Sequence, residues 1–496
     1  MESLRTLVES LVAQLAYDPK APLLFNSGLF LWLFAGFALI YALLQRRLTA
    51  RLLFVTAFSY YFYYKSSGTY FFLLAVVSTT DFVLARAIAA SARPAMRKLF
   101  VTLSLSLNLG LLAYFKYTNF LAEAFAGITG GHFQPADIFL PVGISFFTFQ
   151  SLSYTIDVYR RQIEPLSRPL DYFFYVSFFP QLVAGPIVRA RDFIPQIRRP
   201  LALSRTMTGE AVALIAAGLV KKAVISDYIS TNFVDRVFDN PLLYSGVENL
   251  AAVYGYALQI YCDFSGYSDM AIGIALLLGF RFPDNFRSPY KSASVTEFWR
   301  RWHISLSSWL RDYLYISLGG NRKGKVRQYV NLFLTMLLGG LWHGASWNFV
   351  AWGGLHGAAL AIHKMWMRAT GQPRGGLRTT GWRRAVAVLL TFHFVCLAWV
   401  FFRCHTFDTA AQMLSQIVTN FQGSVLPQLL TGYAPTMCLI VAGFLFHFAP
   451  HRLCRRWQAV MAAAPLLVQA IVLVLAAYVV IQVKGSEVQP FIYFQF

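Results

Sequence analysis

The chain has 496 residues, of which 57% are apolar and only 13% charged, with a formal net charge of +21. A soluble domain of this length carries about a quarter of its residues charged, and no single core hides so much apolar side chain. Lipid is therefore the solvent for the excess. On a soluble chain the positive charge would point to nucleic acid; here cationic loops on a cytoplasmic face account for it, and no nucleic-acid partner is expected.

Candidate spans follow in chain order: Pro22–Leu44, Tyr70–Ala90, Lys98–Phe115, Ile138–Val158, Val247–Leu278, Tyr329–Leu341, Val350–Met365, Ala385–Phe402, Pro435–Phe448 and Ala464–Val483. A full span needs about 20 apolar residues, so the count is about 9–12 passes, some tilted or re-entrant. Met1–Ala21 carries Glu2, Glu9 and Asp18 and lacks the build of a cleaved signal, so the first apolar block reads as retained. Arg46, Arg47 and Arg51, then Arg86, Arg93, Arg97 and Lys98, then Arg160, Arg161 and Arg168 form three basic loops. They alternate with poorly charged loops, of which the long loop Thr118–Asp137 has no Lys or Arg. That alternation places the N-terminus outside.

The five cysteines show neither CxxC nor disulfide-like spacing and read as free thiols. No internal repeat breaks the chain. One membrane domain is expected over residues 1–496: N-terminal spans over 1–135, a catalytic middle over 136–370, and C-terminal spans over 371–496. Gly371–Arg384 reads as a cytoplasmic loop.

The middle third holds the unusual residues. Pro141-Val142-Gly143 and Phe179–Pro186 read as interrupted helices. Tyr261–Met270 sets Asp263, Ser265, Ser268 and Asp269 in an apolar stretch, where they line a cavity or cap a broken helix. Arg281–Arg327 mixes ten basic residues with aromatic ones, the pattern of a membrane–water interface. It fits either an interfacial helix that holds the fold or a cationic vestibule for a polyanionic substrate. Ser294 and Glu297 predict a capped helix start. From there Phe298, Trp302 and Trp309 recur at helical spacing, which places His303 one turn from Trp299. Gly319–Gly324, followed by Lys325, is a cationic turn without the P-loop spacing and reads first as an ordinary loop.

His343 lies in the apolar stretch Leu337–Trp347. An ionisable group there is costly and faces a partner or a wet cavity. The neighbouring Gly339, Gly340 and Gly344 allow backbones or a substrate to approach closely. From these residues alone, a general base and a structural histidine remain equally open. His356, His363, His393 and His447 read as structural. No metal-ligand spacing is present, so no metal is expected.

Glu297–Leu306, Trp309–Tyr313, Leu318–Arg322 and Trp342-His343-Gly344 together resemble the membrane-bound O-acyltransferase family. Pro141–Phe146, Gln181–Ile187 and Tyr261–Asp269 resemble its bacterial polysaccharide branch, which includes alginate O-acetylation and teichoic acid D-alanylation. The resemblance covers most of residues 1–490. It implies an all-α, polytopic membrane fold with interfacial and re-entrant helices around a central tunnel. It implies His343 as catalytic and His303 as its partner. Trp302, Trp342, Arg300, Arg301, Asp312, Asn321, Asp263 and Ser265 are the expected substrate-binding or tunnel-lining residues.

The chemistry implied is O-acetyl transfer to an exported polysaccharide in the bacterial inner membrane. Acetyl-CoA is the expected donor substrate, with no bound cofactor. A periplasmic polysaccharide O-acetyltransferase and membrane lipid are the expected partners. D-alanyl transfer from a carrier protein is the first alternative; a transporter or an export-complex scaffold is another, of a different class.

Overall fold

The computed structural model describes residues 9–10, 12–19, 22–371 and 380–483. Most of Gly371–Arg384 and the start of Met1–Ala21 lie outside the described residues. Every regular element among the described residues is helical. Backbone contacts divide the chain into two compact units. The first holds the described residues up to Thr208 with Ala271–Phe282; the second holds Gly209–Met270 and those from Pro283 onward.

In the first unit, Ser27 caps the helix Gly28–Leu43 by accepting the Phe30 amide. The helices Leu48–Ser67, Phe71–Ala90, Pro94–Leu112 and Ile144–Tyr159 follow. Both interrupted segments are present. Regular helix begins only after Gly143, and Phe179–Leu182 is a single turn. The two breaks pack together: a Cβ on Gly143 would stand 2.8 Å from the Leu182 carbonyl, at a φ of 77°. Thr118–Thr129, expected as loop, is helix and continues the preceding span. Its apolar side chains, such as Leu121, Phe125 and Ile128, are exposed and suit lipid.

Among the described residues, four helices or helix runs are long and apolar enough to cross a membrane: Leu48–Ala90, Pro94–Thr129, Gly381–Arg403 and Leu466–Val483. A bent pair, Gly423–Gly432 and Ala434–Phe448, folds over at 96° and adds a broken span. The strict count stands below the expected number of passes. The middle-third helices are less apolar because they carry polar groups inward: Gln328, Asn331 and His343 are all buried on Lys325–His343.

Two features of the second unit position the site. Lys325–His343 and Trp347–Ala369 form a tight antiparallel pair. The Gly340 position abuts the Phe349 carbonyl and Gly353 with no room for a side chain, and Gly357 lies against Phe333 in the same way. The long helix Gly246–Leu277 is met at Gly266 by Gly218, whose added Cβ would stand 2.6 Å from the Gly266 carbonyl. At that crossing the helix Arg205–Leu219 widens into a π-turn, Val220–Ser226, that buries Lys222 and leaves Lys221 half-buried against Asp269.

Candidate active site

Ser294 accepts the Glu297 amide, as its spacing predicts, and Glu297 reaches back to the Ala293 amide at 2.9 Å. The helix then stops at Trp299. A new helix starts at Ile304, and His303 between them has φ 43° and ψ 56°. The expectation of one continuous helix is therefore corrected. The physical reason is a competing set of hydrogen bonds: Asn285 draws the Ile304 and Ser305 amides away from a helical ladder. A left-handed histidine costs about 1–2 kcal/mol and persists only where its surroundings over-determine it.

Those surroundings fix the imidazole completely. Asn285 Oδ1 accepts the Ser305 amide at 3.2 Å and the Ser305 hydroxyl at 2.9 Å. Asn285 Nδ2 donates to Ser268 at 3.1 Å, so the amide has only one sensible orientation. His303 Nδ1, 3.2 Å from the same Oδ1, must then be the N–H donor. Nε2 is left with a lone pair. It is buried, and among the described residues it has no hydrogen-bond partner. Burial pushes the imidazole well below its ordinary pKa, so this nitrogen stays a proton acceptor. Phe264, on the long helix, braces the ring edge-on at 4.5 Å.

Trp342 links the two histidines. Its ring lies 6.2 Å from His303 and 5.0 Å from His343, centroid to centroid. His343 ends its helix, is buried, and packs against Trp352 at 5.0 Å and Phe402 at 5.2 Å. The structure thus gathers His303, Trp342 and His343 into one aromatic-lined cluster.

The other expected site residues are placed differently. Trp302 is buried one layer away, stacked on Phe298 and edge-on to Phe286. Asp263 is buried in an ion cluster with Lys222 and Asp227, at 2.5 Å from Lys222. Ser265 is buried on the same helix. Arg300 and Asn321 are exposed. Arg301 pairs with Glu297 at 2.8 Å, and Asp312 pairs with Arg311. Gly319, Gly320 and Gly324 all have positive φ, so the cationic turn is a true reversal.

His363, His393 and His447 each hold a local bond, to Thr296, Tyr254 and the Tyr290 amide respectively. Among the described residues no three His, Cys, Asp or Glu side chains are grouped to hold a metal ion. Asn285 and Phe264 are site residues that sequence reasoning missed. The available signal was the run of polar residues around Ser268, but nothing in the chain announces that Ser268 pairs with a loop residue.

Glu297 ties this region to Arg384 as well as to Arg301. Burial alone pushes its carboxyl up, but the Ala293 amide, Arg301 and Arg384 outweigh this and hold it below its usual range. A depressed folded pKa gives stability that is full above the unfolded value, about 4.3, and lost as pH falls through the folded value. The melting temperature of Glu297→Gln in detergent is therefore expected below wild type near neutral pH, with the gap closing toward about pH 3. A gap independent of pH would contradict this assignment.

Comparison with known proteins decides the family. The sequence profile of the membrane-bound O-acyltransferase family matches residues 162–436, more than half of the chain. The chain belongs to this family. It is a multi-pass membrane O-acyltransferase. A Pseudomonas putida protein named "probable alginate O-acetylase" is 37% identical, over 96% of this chain and 100% of that relative. The peptidoglycan O-acetyltransferase of Helicobacter pylori is 38% identical, over 80% of each chain. The teichoic acid D-alanyltransferase of Bacillus subtilis is 28% identical, over 55% of this chain and 70% of its own. The matched stretch of this membrane-bound O-acyltransferase includes both histidines and Asn285.

Proposed function

We propose that the chain moves an acetyl group from cytoplasmic acetyl-CoA across the bacterial inner membrane, for O-acetylation of an exported polysaccharide such as alginate. In this reading the N-terminus is periplasmic, the chain acts as a single catalytic domain around a tunnel, and a periplasmic partner protein receives the acetyl group. The observation that carries the chemistry is the His303–Trp342–His343 cluster, with a neutral imidazole whose Nε2 lone pair is held ready.

His343 acts as general base on the acceptor hydroxyl. As the acceptor oxygen bonds to the thioester carbon, its proton passes to the imidazole. The C–S bond then breaks, and the leaving thiolate takes that proton. His303 presents Nε2 to the same hydroxyl and orients it, or shares the proton. The exposed cations Arg300, Arg322, Lys323 and Lys325 supply the field that gathers a polyphosphate donor.

Acetyl rather than D-alanyl transfer is favoured because relatives named for acetylation match at higher identity and over more of the chain. Membranes holding the chain are expected to transfer label from acetyl-CoA and to ignore a D-alanyl-loaded carrier protein. The opposite preference would favour the sibling reaction, and no transfer from either would favour a transporter or scaffold.

A further inference from the structure

Acyl transfer needs donors for the oxygen on which negative charge develops, as well as a base. Two buried N–H groups, Trp352 Nε1 beside His343 and His356 Nε2 beside Trp352, have no hydrogen-bond partner among the described residues. They lie one turn apart on the helix Trp347–Ala369, and their rings touch at 4.9 Å. Trp352 packs directly on His343, with centroids 5.0 Å apart.

The tautomer of His356 follows from its one bond. Trp299 Nε1 can only donate, and it points at His356 Nδ1 at 3.2 Å. Nδ1 is therefore an acceptor, and the proton of this neutral imidazole sits on Nε2. Phe298, Trp299 and Phe394 wall the ring, which is fully buried. Trp299 is free to hold His356 in this way because the helix breaks at Arg300, which sends Trp299 and His303 in different directions. A buried N–H without a partner is costly, and two in adjacent turns are kept where a third group completes them.

We infer that His356 Nε2–H and Trp352 Nε1–H donate to the acyl carbonyl oxygen and to the oxyanion it becomes. This deepens the acyl-transfer reading of the same site and rests on it. When the acceptor oxygen attacks the thioester carbon, the C=O π electrons move onto the carbonyl oxygen, and the two donors hold the charge there. When the carbonyl re-forms, the electrons return and the thiolate leaves. Neither donor gives up its proton. Such preorganised donors act most strongly where water is excluded.

The test compares kcat and KM for acetyl-CoA in the purified full-length chain, with His343→Ala as the reference for lost chemistry. His356→Leu is expected to lower kcat about 100-fold, with KM changed less than about threefold. His356→Gln restores an N–H donor and is expected to recover at least about a tenth of wild-type kcat. Trp352→Phe keeps most of the ring and is expected to lose about tenfold in kcat. Fluoroacetyl-CoA, whose oxyanion is less basic and leans less on donors, should show a smaller His356→Leu defect than acetyl-CoA. If His356→Leu does not accumulate in membranes, Trp352→Phe and His356→Gln carry the same comparison. Unchanged kcat in folded donor variants, or an equal loss with both acyl donors, overturns the inference. A fully active His343→Ala overturns instead the reading on which it rests.

Discussion

His343→Ala should lose at least about 1,000-fold in acetyl transfer while still reaching the membrane. The expectation follows from position. His343 closes its helix, is buried, and its ring is walled by Trp342, Trp352 and Phe402. Removing a general base that acts as the bond forms lowers kcat and kcat/KM together, leaving KM nearly constant. The loss corresponds to about 4 kcal/mol of transition-state stabilisation. Replacing a buried imidazole by a methyl group also leaves a cavity, so the variant is expected to melt lower than wild type. Tracking folded protein and rate separately divides the two effects. A variant that folds, stays in the membrane and still transfers acetyl at a tenth of the wild-type rate or better would remove His343 from the base role.

Asn285→Leu carries the second large effect. The substitution removes the acceptor for His303 Nδ1–H, for the Ser305 amide and for the Ser305 hydroxyl at one stroke. Buried donors left without partners cost about 1–3 kcal/mol each, and the strained backbone at His303 loses the contacts that hold it. Transfer is expected to fall about 100-fold, because the imidazole loses both its orientation and its tautomer. Asn285→Asp separates orientation from mere packing. Its carboxylate can still accept from Nδ1–H, and its negative charge stabilises the imidazolium. Its activity should exceed that of Asn285→Leu, with the acidic limb of the pH–rate profile moved toward higher pH. Equal rates in the two variants, with no displacement of the profile, would reduce Asn285 to a packing role.

Much of this was legible in the chain, for reasons that can be named. Composition forced a lipid solvent, and of the glycines expected to allow close approach, Gly340 and Gly344 sit where Phe349 leaves no room for a side chain. The helix start at Ser294 was readable because capping is local chemistry. The stop at Trp299 was not. Periodicity through Phe298, Trp302 and Trp309 is satisfied equally by one helix or by two separated by a kink, and the deciding bonds come from Asn285, 18 residues upstream of His303. Asp263 was expected at a tunnel because a buried carboxylate in an apolar stretch signals function; its partner Lys222 lies on another helix and was invisible to spacing. Arg300, Asn321 and Asp312 stood out by belonging to a recognisable motif, yet motif membership does not distinguish a residue that touches the histidines from one that faces solvent or a neighbouring arginine. His356 reads as structural in the sequence, and the bond from Trp299 that fixes which of its nitrogens carries the proton joins residues 57 positions apart, beyond the reach of spacing.

The most direct measurement uses purified full-length chain in sealed liposomes, with labelled acetyl-CoA on one side only. Single-turnover consumption of the donor is compared among wild type, His303→Ala, His343→Ala and the double variant. If the two histidines act as one unit around Trp342, the double variant is no slower than His343→Ala alone, and both fall far below wild type. Donor consumption that continues at the wild-type rate in the folded double variant would contradict the account at its centre.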